Sequence, residues 1–408
     1  MKILHISTTD IKGGAGIAAY RLHKSINLNS GVDSFMYVQR KSSSDDSVIS
    51  SKGKMRVLLN YLCLAGEKIL SNIFGSNKYE ITSLGVFSSL DLKVIKKINP
   101  DIINIHWACG GFLNLSKIEK IKKPIVWTMH DMWAFSGFNH YNLNKDNYIT
   151  GDFSDSSYLD KFLWKKKVDF FKENKDIIFV SPSKWLQGKA KKSIALRDCI
   201  VKNIPNGVDV SVFNNNGDDY LRNKFGISQD KKIVLFGAVN PFSGKRKGYE
   251  ILIEVIKKIK SLNKDDDLVL VVFGSDKIEG VKFNIPTYFT GNISSEVDMA
   301  NIYSGADIFI MPSMEDNLPN TVLESMSCET PVVAFNIGGM SDMIDDNING
   351  LLVEPFNASA MAEEILLLLK DDDRLSRMSE MSRKKMINYF NPKNVSIKYI
   401  ELYKDILK

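Results

Sequence analysis

Cysteine is scarce in this 408-residue sequence, and the thiols that are present are isolated from one another. None of the four cysteines belongs to a Cys-x-x-Cys pair, so the sequence predicts neither a zinc site nor a disulfide framework and fits a reducing cytoplasm. We expect no export signal, because MKILHIS enters a short apolar strand without a long hydrophobic region. The most apolar run, residues 57–66, is shorter than a membrane span of ~20 residues and is followed by Glu67. It predicts a buried or interfacial helix.

Signatures of nucleic-acid-binding folds are also missing, so we expect no nucleic-acid partner. Charge, in contrast, is distributed unevenly between the two halves of the chain. Residues 1–206 hold 31 Lys and Arg against 18 Asp and Glu, an excess of 13 positive charges, whereas the remainder is net acidic. A basic half predicts an anionic partner, either an anionic membrane surface or a phosphate-linked acceptor. The densest clusters are residues 165–167 and Lys189, Lys191 and Lys192, with solvated helix faces as the alternative.

Strands and helices alternate in both halves, which predicts an α/β fold with parallel sheets covered by helices. The length favours two domains. The predicted strands are KILHIS, DSFMYVQ, DIINIHW, PIVWTMH and DIIFVSP, and then KIVLFGAV, LVLVVFGS, TYFTG, DIFIMPS, PVVAF and GLLVEP. NIPNGVDVSVFNNNGDD is predicted to link the domains, and residues 40–54 are predicted to form a polar loop.

Residues 312–355 combine an acidic pair, Glu315 and Asp316, with a short helix predicted to begin near Asn320 or Thr321. The first amides of such a helix have no partners within it and attract anions. Glu324, one turn further on, is placed to accept two hydrogen bonds from a diol such as a ribose, each contributing about 1.5–3 kcal/mol. The alternative is a capping box, in which Thr321 and Glu324 bond only to their own helix.

Lys245, Arg246 and Lys247 stand directly before Gly248 and a predicted helix. Three cations at a helix N-terminus oppose the macrodipole at a cost of up to about 1 kcal/mol unless an anion lies among them. A pyrophosphate is the anion that we expect. No Asp-x-Asp motif ends a predicted strand, so we expect no metal and no cofactor, and Arg246, Lys247 and helix amides would neutralise the leaving group.

Two further features accompany strand ends in the first half. Gly14 and Gly16 open a helix after the first strand, where a backbone without side chains can approach a phosphate or sugar. They also satisfy the dinucleotide fingerprint, which leaves an NADP-dependent oxidoreductase as a weaker alternative. His130 and His106 end neighbouring predicted strands, where α/β sheets bind ligands. Packing of His130 against Asp131 is the alternative, and His106 is a candidate for the acceptor side.

Residues 312–355 resemble the donor-site signature of retaining glycosyltransferases of family 4, and the segments MKILHISTTDIKGGAGIAAY, TMHDMW, SPSKW and IPNGVD extend the resemblance over nearly the whole chain. It implies the GT-B architecture, in which two Rossmann-like domains face each other across a cleft. Residues 1–206 would bind the acceptor and residues 207–390 the donor, a UDP- or GDP-sugar. Residues 391–408 would form a helix that returns to the first domain.

The family has two acidic residues separated by seven others, of which the second holds the ribose and the first faces the donor sugar. Asp316 and Glu324 have this spacing, so either Asp316 replaces the usual Glu or Glu315 reaches the site through a shifted loop. Lys247 would hold the diphosphate, with Arg246 substituting for an Arg expected where Ala238 stands. His130 would contact the donor sugar. The remaining predicted donor contacts are Asn317, Leu318, Asn320 and Thr321, with Gly14 and Gly16.

The expected activity is transfer of a sugar to a lipid-linked or polysaccharide glycan in bacterial surface-polysaccharide synthesis, in the cytoplasm or peripherally at the inner face of the cell membrane. Two alternatives of other classes stay open, since Asp316 and Ala238 depart from the family pattern. One is a nucleotide-sugar-binding protein without turnover. The other, weaker, is a sugar-nucleotide epimerase.

Overall fold

A computed structural model describes residues 1–74, 81–141, 145–217, 219–237, 245–263, 265, 267–276 and 283–408. The chain divides into two compact units, unit 1 with Met1–Gly207 and Pro392–Lys408, and unit 2 with Val208–Asn391. Each unit contains a parallel sheet connected by helices. The predicted α/β class with two Rossmann-like domains is therefore confirmed.

Unit 1 is built on a seven-stranded sheet with the order β3-β2-β1-β4-β5-β6-β7. The strands are β1 (Lys2–Thr9), β2 (Asp33–Arg40), β3 (Val48–Ser50), β4 (Ile102–Ile105), β5 (Ile125–Thr128), β6 (Ile178–Ser181) and β7 (Val201–Asn203). The helices are α1 (Gly14–Asn27), α2 (Lys54–Phe74), α3 (Leu92–Ile98), α4 (Leu115–Ile118), α5 (Asn147–Thr150), α6 (Tyr158–Glu173) and α7 (Lys184–Lys192).

Unit 2 is built on a six-stranded sheet with the order β10-β9-β8-β11-β12-β13. The strands are β8 (Lys232–Gly237), β9 (Leu268–Phe273), β10 (Thr287–Phe289), β11 (Ile308–Met311), β12 (Val332–Phe335) and β13 (Gly350–Val353). The helices are α8 (Asp219–Phe225), α9 (Tyr249–Leu262), α10 (Glu296–Ser304), α11 (Asn320–Ser327), α12 (Met340–Met343), α13 (Ala358–Leu369) and α14 (Asp372–Tyr389). The last helix of the chain, α15 (Pro392–Ile406), belongs to unit 1.

Both faces of each sheet are covered, which explains why the strands read as nearly continuous apolar runs. In β1, Leu4 and Ile6 enter one hydrophobic cluster while Ile3 enters a second cluster with residues of α1 and α15. The tyrosines of α15 fix that helix to the sheet. Asn104 donates to the Tyr403 hydroxyl over 2.7 Å.

The strand orders place the ligand-binding edge of each unit. In unit 1 the order reverses at β1 and β4, and in unit 2 at β8 and β11. Open α/β sheets bind ligands beyond the carboxyl ends of strands at such a switch point. The loop after β4 carries His106, and the loop after β11 carries Glu315 and Asp316.

Two expectations about polar and apolar segments were wrong in part. Residues 40–54 were predicted as a loop, but they contain the edge strand β3, which pairs with β2. The apolar run at residues 57–66 belongs to the longer helix α2, which is not buried, since most of its apolar side chains are exposed. Among the described residues, α2 is the one helix with the length and apolar composition to cross a membrane.

The lysine cluster at residues 165–167 is not a continuous surface patch, because Lys167 is buried in α6. Its ammonium group donates to the carbonyls of Trp133, Ser136 and Gly137 over 2.5, 3.1 and 2.6 Å. Burial lowers the pKa of Lys167 to about 7. Lys167 therefore stabilises the segment after β5. Within this cluster, Lys165 and Lys166 are the lysines that are exposed and could contact an anionic partner.

We expect Lys167→Met to lower the free energy of unfolding of unit 1 by about 3 kcal/mol, since buried carbonyls lose their donor at about 1–3 kcal/mol per unsatisfied group. All five tryptophans of the chain lie between residues 107 and 185, so tryptophan fluorescence during urea unfolding reports on unit 1. Lys165→Met, an exposed neighbour on the same helix, is the control and should change the value by less than about 0.5 kcal/mol. Equal losses in the two variants would contradict the structural role of Lys167.

Candidate functional site

The segment between β11 and α11 is a buried polar loop in unit 2. Glu315, Asp316, Asn317 and Leu318 are all less than a tenth exposed. Leu318 joins the hydrophobic core, so its side chain supports the loop from beneath. A buried loop rich in carboxylate and amide groups is costly unless those groups have partners, which marks it as a candidate binding site.

Two glycines allow other backbone segments to press against this loop. A Cβ on Gly248 would lie 1.8 Å from the carbonyl oxygen of Pro312, and one on Gly338 would lie 1.9 Å from that of Asp316. The amide of Gly339 donates to the carbonyl of Asp316 over 3.1 Å, and the amide of Met314 donates to the carbonyl of Arg246 over 2.8 Å. The acidic loop is therefore held between the turn before α9 and the Gly-Gly turn after β12.

The cations before α9 converge on the acidic loop. The Lys247 ammonium lies 2.6 Å from Asp316 Oδ2, and Arg246 Nη1 lies 3.2 Å from the same oxygen. Arg246 also donates to the carbonyl of Glu315 over 3.0 Å. Lys245–Lys247 forms a short 3-10 turn before Gly248. The anion that we expected among these cations is, in this structure, the carboxylate of Asp316.

Charge at this cluster is set by competition between burial and pairing. Burial raises the pKa of Asp316, but Lys247 and Arg246 outweigh burial and hold that pKa below its ordinary value. Burial lowers the pKa of Lys247, and the nearby charge of Asp316 offsets part of that decrease. Asp316 is therefore ionised at neutral pH, and a second anion such as a diphosphate would compete with it for the two cations.

Helix α11 begins at Asn320, as predicted, and its N-cap residue is Pro319, which makes no side-chain capping bond. The capping-box alternative is wrong, because Thr321 lies inside the helix rather than at its cap. The Thr321 hydroxyl is buried without a hydrogen-bond partner among the described residues. The first turn of α11 and the hydroxyl of Thr321 thus adjoin the acidic loop.

Glu324 is buried one turn into α11, with 7% of its surface exposed. The Tyr303 hydroxyl on α10 donates to Glu324 Oε2 over 3.2 Å. Nothing in the sequence singles out Tyr303, so this partner was missed. The contact orients the carboxylate through a group outside its own helix.

In unit 1, the histidines predicted at strand ends form a line with a third. His106 Nδ1 lies 3.1 Å from His130 Nε2, and His106 Nε2 lies 2.9 Å from His5 Nδ1. The third, His5, lies fully buried within β1. Burial lowers the pKa of all three, that of His130 to about 4, so the line is uncharged at neutral pH. A neutral imidazole has one donor and one acceptor nitrogen. Because His106 contacts His5 and His130 through its two nitrogens, the tautomer of one outer histidine determines that of the other.

Asp131 holds a different histidine from the one considered in the sequence. His140 Nδ1 lies 2.5 Å from Asp131 Oδ2, and His140 Nε2 lies 2.9 Å from the Ser83 hydroxyl. Burial raises the pKa of Asp131, and His140 outweighs that effect and lowers it. Asp131 is thus the partner of His140, which was not a candidate residue, whereas His130 contacts His106.

The glycine loop lies in unit 1, at the start of α1. A Cβ on Gly16 would lie 2.5 Å from Thr9 Oγ1, so close contact between α1 and the end of β1 already requires this glycine. Gly14 is the first residue of α1, after Gly13 with a φ of 71°. Ala238, where the family pattern led us to expect an arginine, lies outside the described residues.

The sequence model of the family described as "Glycosyl transferases group 1" matches residues 218–385, within unit 2. A D-inositol 3-phosphate glycosyltransferase of Corynebacterium glutamicum (strain R) is 24% identical over 324 residues, which cover 75% of this chain and 73% of the relative. The Escherichia coli UDP-Gal:alpha-D-GlcNAc-diphosphoundecaprenol alpha-1,3-galactosyltransferase is 28% identical over 336 residues, covering 77% and 78%.

The solved structure of Anabaena Alr3699/HepE in complex with UDP superimposes with a TM-score of 0.65 at 14% sequence identity, covering 99% of this chain and 100% of that one. Likeness at this identity concerns the fold. The family model, the relatives and the fold agree with the resemblance seen in residues 312–355. Residues 218–385 therefore belong to the group 1 glycosyltransferases, and the chain has the GT-B architecture.

Proposed function

We propose that the chain is a retaining, metal-independent glycosyltransferase that moves a sugar from a UDP- or GDP-sugar to a glycan or lipid-linked acceptor. The observation that carries this proposal is the cluster of Lys247 and Arg246 on Asp316, eight positions before the buried Glu324. Cations for a diphosphate and a carboxylate for a ribose thus belong to one unit, the one that the family model matches.

In this proposal Glu324 accepts hydrogen bonds from the ribose diol, and Tyr303 keeps its carboxylate in position. The diphosphate takes Lys247 and Arg246 as counter-ions, beside the first amides of α11. When the bond to the sugar breaks, negative charge develops on the leaving phosphate, where the two cations and the amides stabilise it without reorganising. Asp316, released in part from the cations, faces the donor sugar.

The acceptor is assigned to unit 1. His130 is proposed to contact the donor sugar, and His106 fixes the tautomer of His130 through the 3.1 Å contact between the two rings. The name of the Escherichia coli relative specifies UDP-Gal and a diphosphoundecaprenol-linked acceptor, which supports a UDP-sugar and a lipid-linked glycan here. The excess of 13 positive charges in residues 1–206 suits a phosphate-linked acceptor at the inner face of the cell membrane, with the protein in the cytoplasm or peripheral to that membrane.

A thermal-unfolding screen against UDP, GDP, ADP and their sugars tests the nucleotide site. A ligand present at about 100 times its dissociation constant stabilises its unit by about 2.7 kcal/mol. Calorimetry is the suitable readout, because unit 2 contains no tryptophan. We expect stabilisation by one nucleoside diphosphate and its sugar but not by the free nucleoside. No stabilisation by any of these nucleotides would contradict the proposed function.

We expect turnover to persist in excess EDTA, because Lys247, Arg246 and helix amides supply the positive charge at the leaving group. Among the described residues, no three His, Cys, Asp or Glu side chains are grouped as metal ligands. Release of nucleoside diphosphate is measured with EDTA and again after addition of Mg²⁺ or Mn²⁺. Loss of release in EDTA that either ion restores would show that a metal neutralises the leaving group.

A further inference from the structure

Helix α2 contacts the rest of unit 1 through several polar side chains and exposes most of its large apolar side chains. Arg56 pairs with Asp91 over 2.8 Å, Asn60 donates to the carbonyl of Gln39 over 3.3 Å, and Glu67 accepts from the amide of Gly85 over 2.7 Å. Arg56, Asn60 and Glu67 recur at helical spacing on the inner face, together with Leu70, which packs on a small apolar cluster of unit 1. Most other apolar side chains of α2 are exposed, whereas the apolar stripe of a surface helix in a soluble protein faces the core.

The outer face of α2 is an extended apolar surface. Leu62 and Ile69 are 59% and 58% exposed. The exposed large apolar side chains of the helix are Met55, Val57, Leu58, Leu59, Tyr61, Leu62, Ile69, Ile73 and Phe74. Contiguous apolar surface of this kind is uncommon on a soluble monomer and marks a site of interaction.

The charges on the outer face identify its partner. Lys54 and Lys68 are exposed there, and the one acidic residue of α2, Glu67, is on the inner face. A second copy of the chain would bring like charges together across such a face. An anionic bilayer supplies both an apolar layer and negative headgroups, which are the surfaces that a cationic apolar helix face matches.

We propose that α2 lies in the plane of an anionic membrane surface, with its outer face inserted at the boundary of headgroups and acyl chains. The helix has the length of a span, yet spanning would pull Arg56, Asn60 and Glu67 from their partners and place charges in the hydrocarbon. We thus assign the membrane contact proposed above, on which this inference rests, to α2 rather than to the lysines of α6.

The test is cosedimentation with vesicles of phosphatidylglycerol and phosphatidylcholine, compared with vesicles of phosphatidylcholine alone. We expect the full chain to bind the anionic vesicles and the triple variant Leu58→Ser, Leu62→Ser, Ile69→Ser to bind at least tenfold more weakly. A matched triple variant on unit 1, Leu28→Ser, Ile200→Ser, Leu407→Ser, also replaces exposed apolar side chains and should bind within twofold of the unmodified chain.

The variant Leu58→Met, Leu62→Met, Ile69→Met keeps the apolar character and should bind as the unmodified chain does, which separates insertion from disruption of the helix. Binding that survives the serine substitutions on α2 would overturn the inference. So would a dimer in lipid-free solution that the same substitutions dissociate, because the face would then belong to a second copy. UDP affinity is measured on every variant, so that failure of the nucleotide site is seen separately from failure of membrane binding.

Discussion

Asp316→Asn is expected to lower the rate of sugar transfer by about a hundredfold, the scale of losing one preorganised electrostatic contact in an active site. The substitution removes the negative charge proposed to face the donor sugar while keeping the shape of the side chain. It also removes the carboxylate that now lies 2.6 Å from Lys247 and 3.2 Å from Arg246. Affinity for the nucleoside diphosphate should therefore rise as turnover falls. Release of diphosphate gives the rate, and titration calorimetry gives the affinity.

Glu315→Gln is the matched variant, because Glu315 is the adjacent buried carboxylate and interacts with Arg246 through its backbone carbonyl. We expect it to lower the rate by less than tenfold. The reverse order of effects would show that Glu315 is the first acid of the motif and reaches the sugar through a shifted loop. Unchanged turnover in both variants would remove the acidic pair from the chemistry.

Glu324→Gln is expected to weaken binding of the nucleoside diphosphate at least tenfold, a loss of about 1.4 kcal/mol or more. The amide loses the charge that strengthens hydrogen bonds to a diol and presents a donor where both carboxylate oxygens accept. Titration calorimetry measures the affinity directly.

Glu329→Gln is the control, since Glu329 lies just beyond the end of α11 and accepts from Asn215 over 2.9 Å, away from the acidic loop. Its affinity for the nucleotide should match that of the unmodified chain. An equal loss in both variants would indicate a general effect on α11, and no loss in Glu324→Gln would remove the ribose contact.

The strand pattern was predictable because both faces of each sheet are buried, so the strands read as apolar runs bounded by polar turns. The edge strands β3 and β7, of three residues each, were not among the predicted strands. The extent of α2 was also missed. Most of its large apolar side chains are exposed rather than directed to the core, so only the central apolar run stood out.

At the site, the family resemblance selected Asp316 and Glu324 as candidates but did not identify the residues that they contact. Asp316 meets Lys247 across 69 residues of sequence, and Glu324 meets Tyr303 on a different helix. The burial of Lys167 likewise depends on three carbonyls more than 29 residues away in sequence. Such contacts arise from tertiary packing, which local pattern does not encode.

Unit 2 is proposed to bind a nucleotide sugar, and this binding is proposed to lead to transfer. The most direct measurement is release of free nucleoside diphosphate from the matching nucleotide sugar, with a lipid extract as the source of acceptor, for the unmodified chain and for Glu324→Gln. We expect release by the unmodified chain in the presence of EDTA and a loss of at least tenfold in the variant at low donor concentration. Tight nucleotide binding with no release from any UDP-, GDP- or ADP-sugar would contradict the proposed function and show a binding protein without turnover.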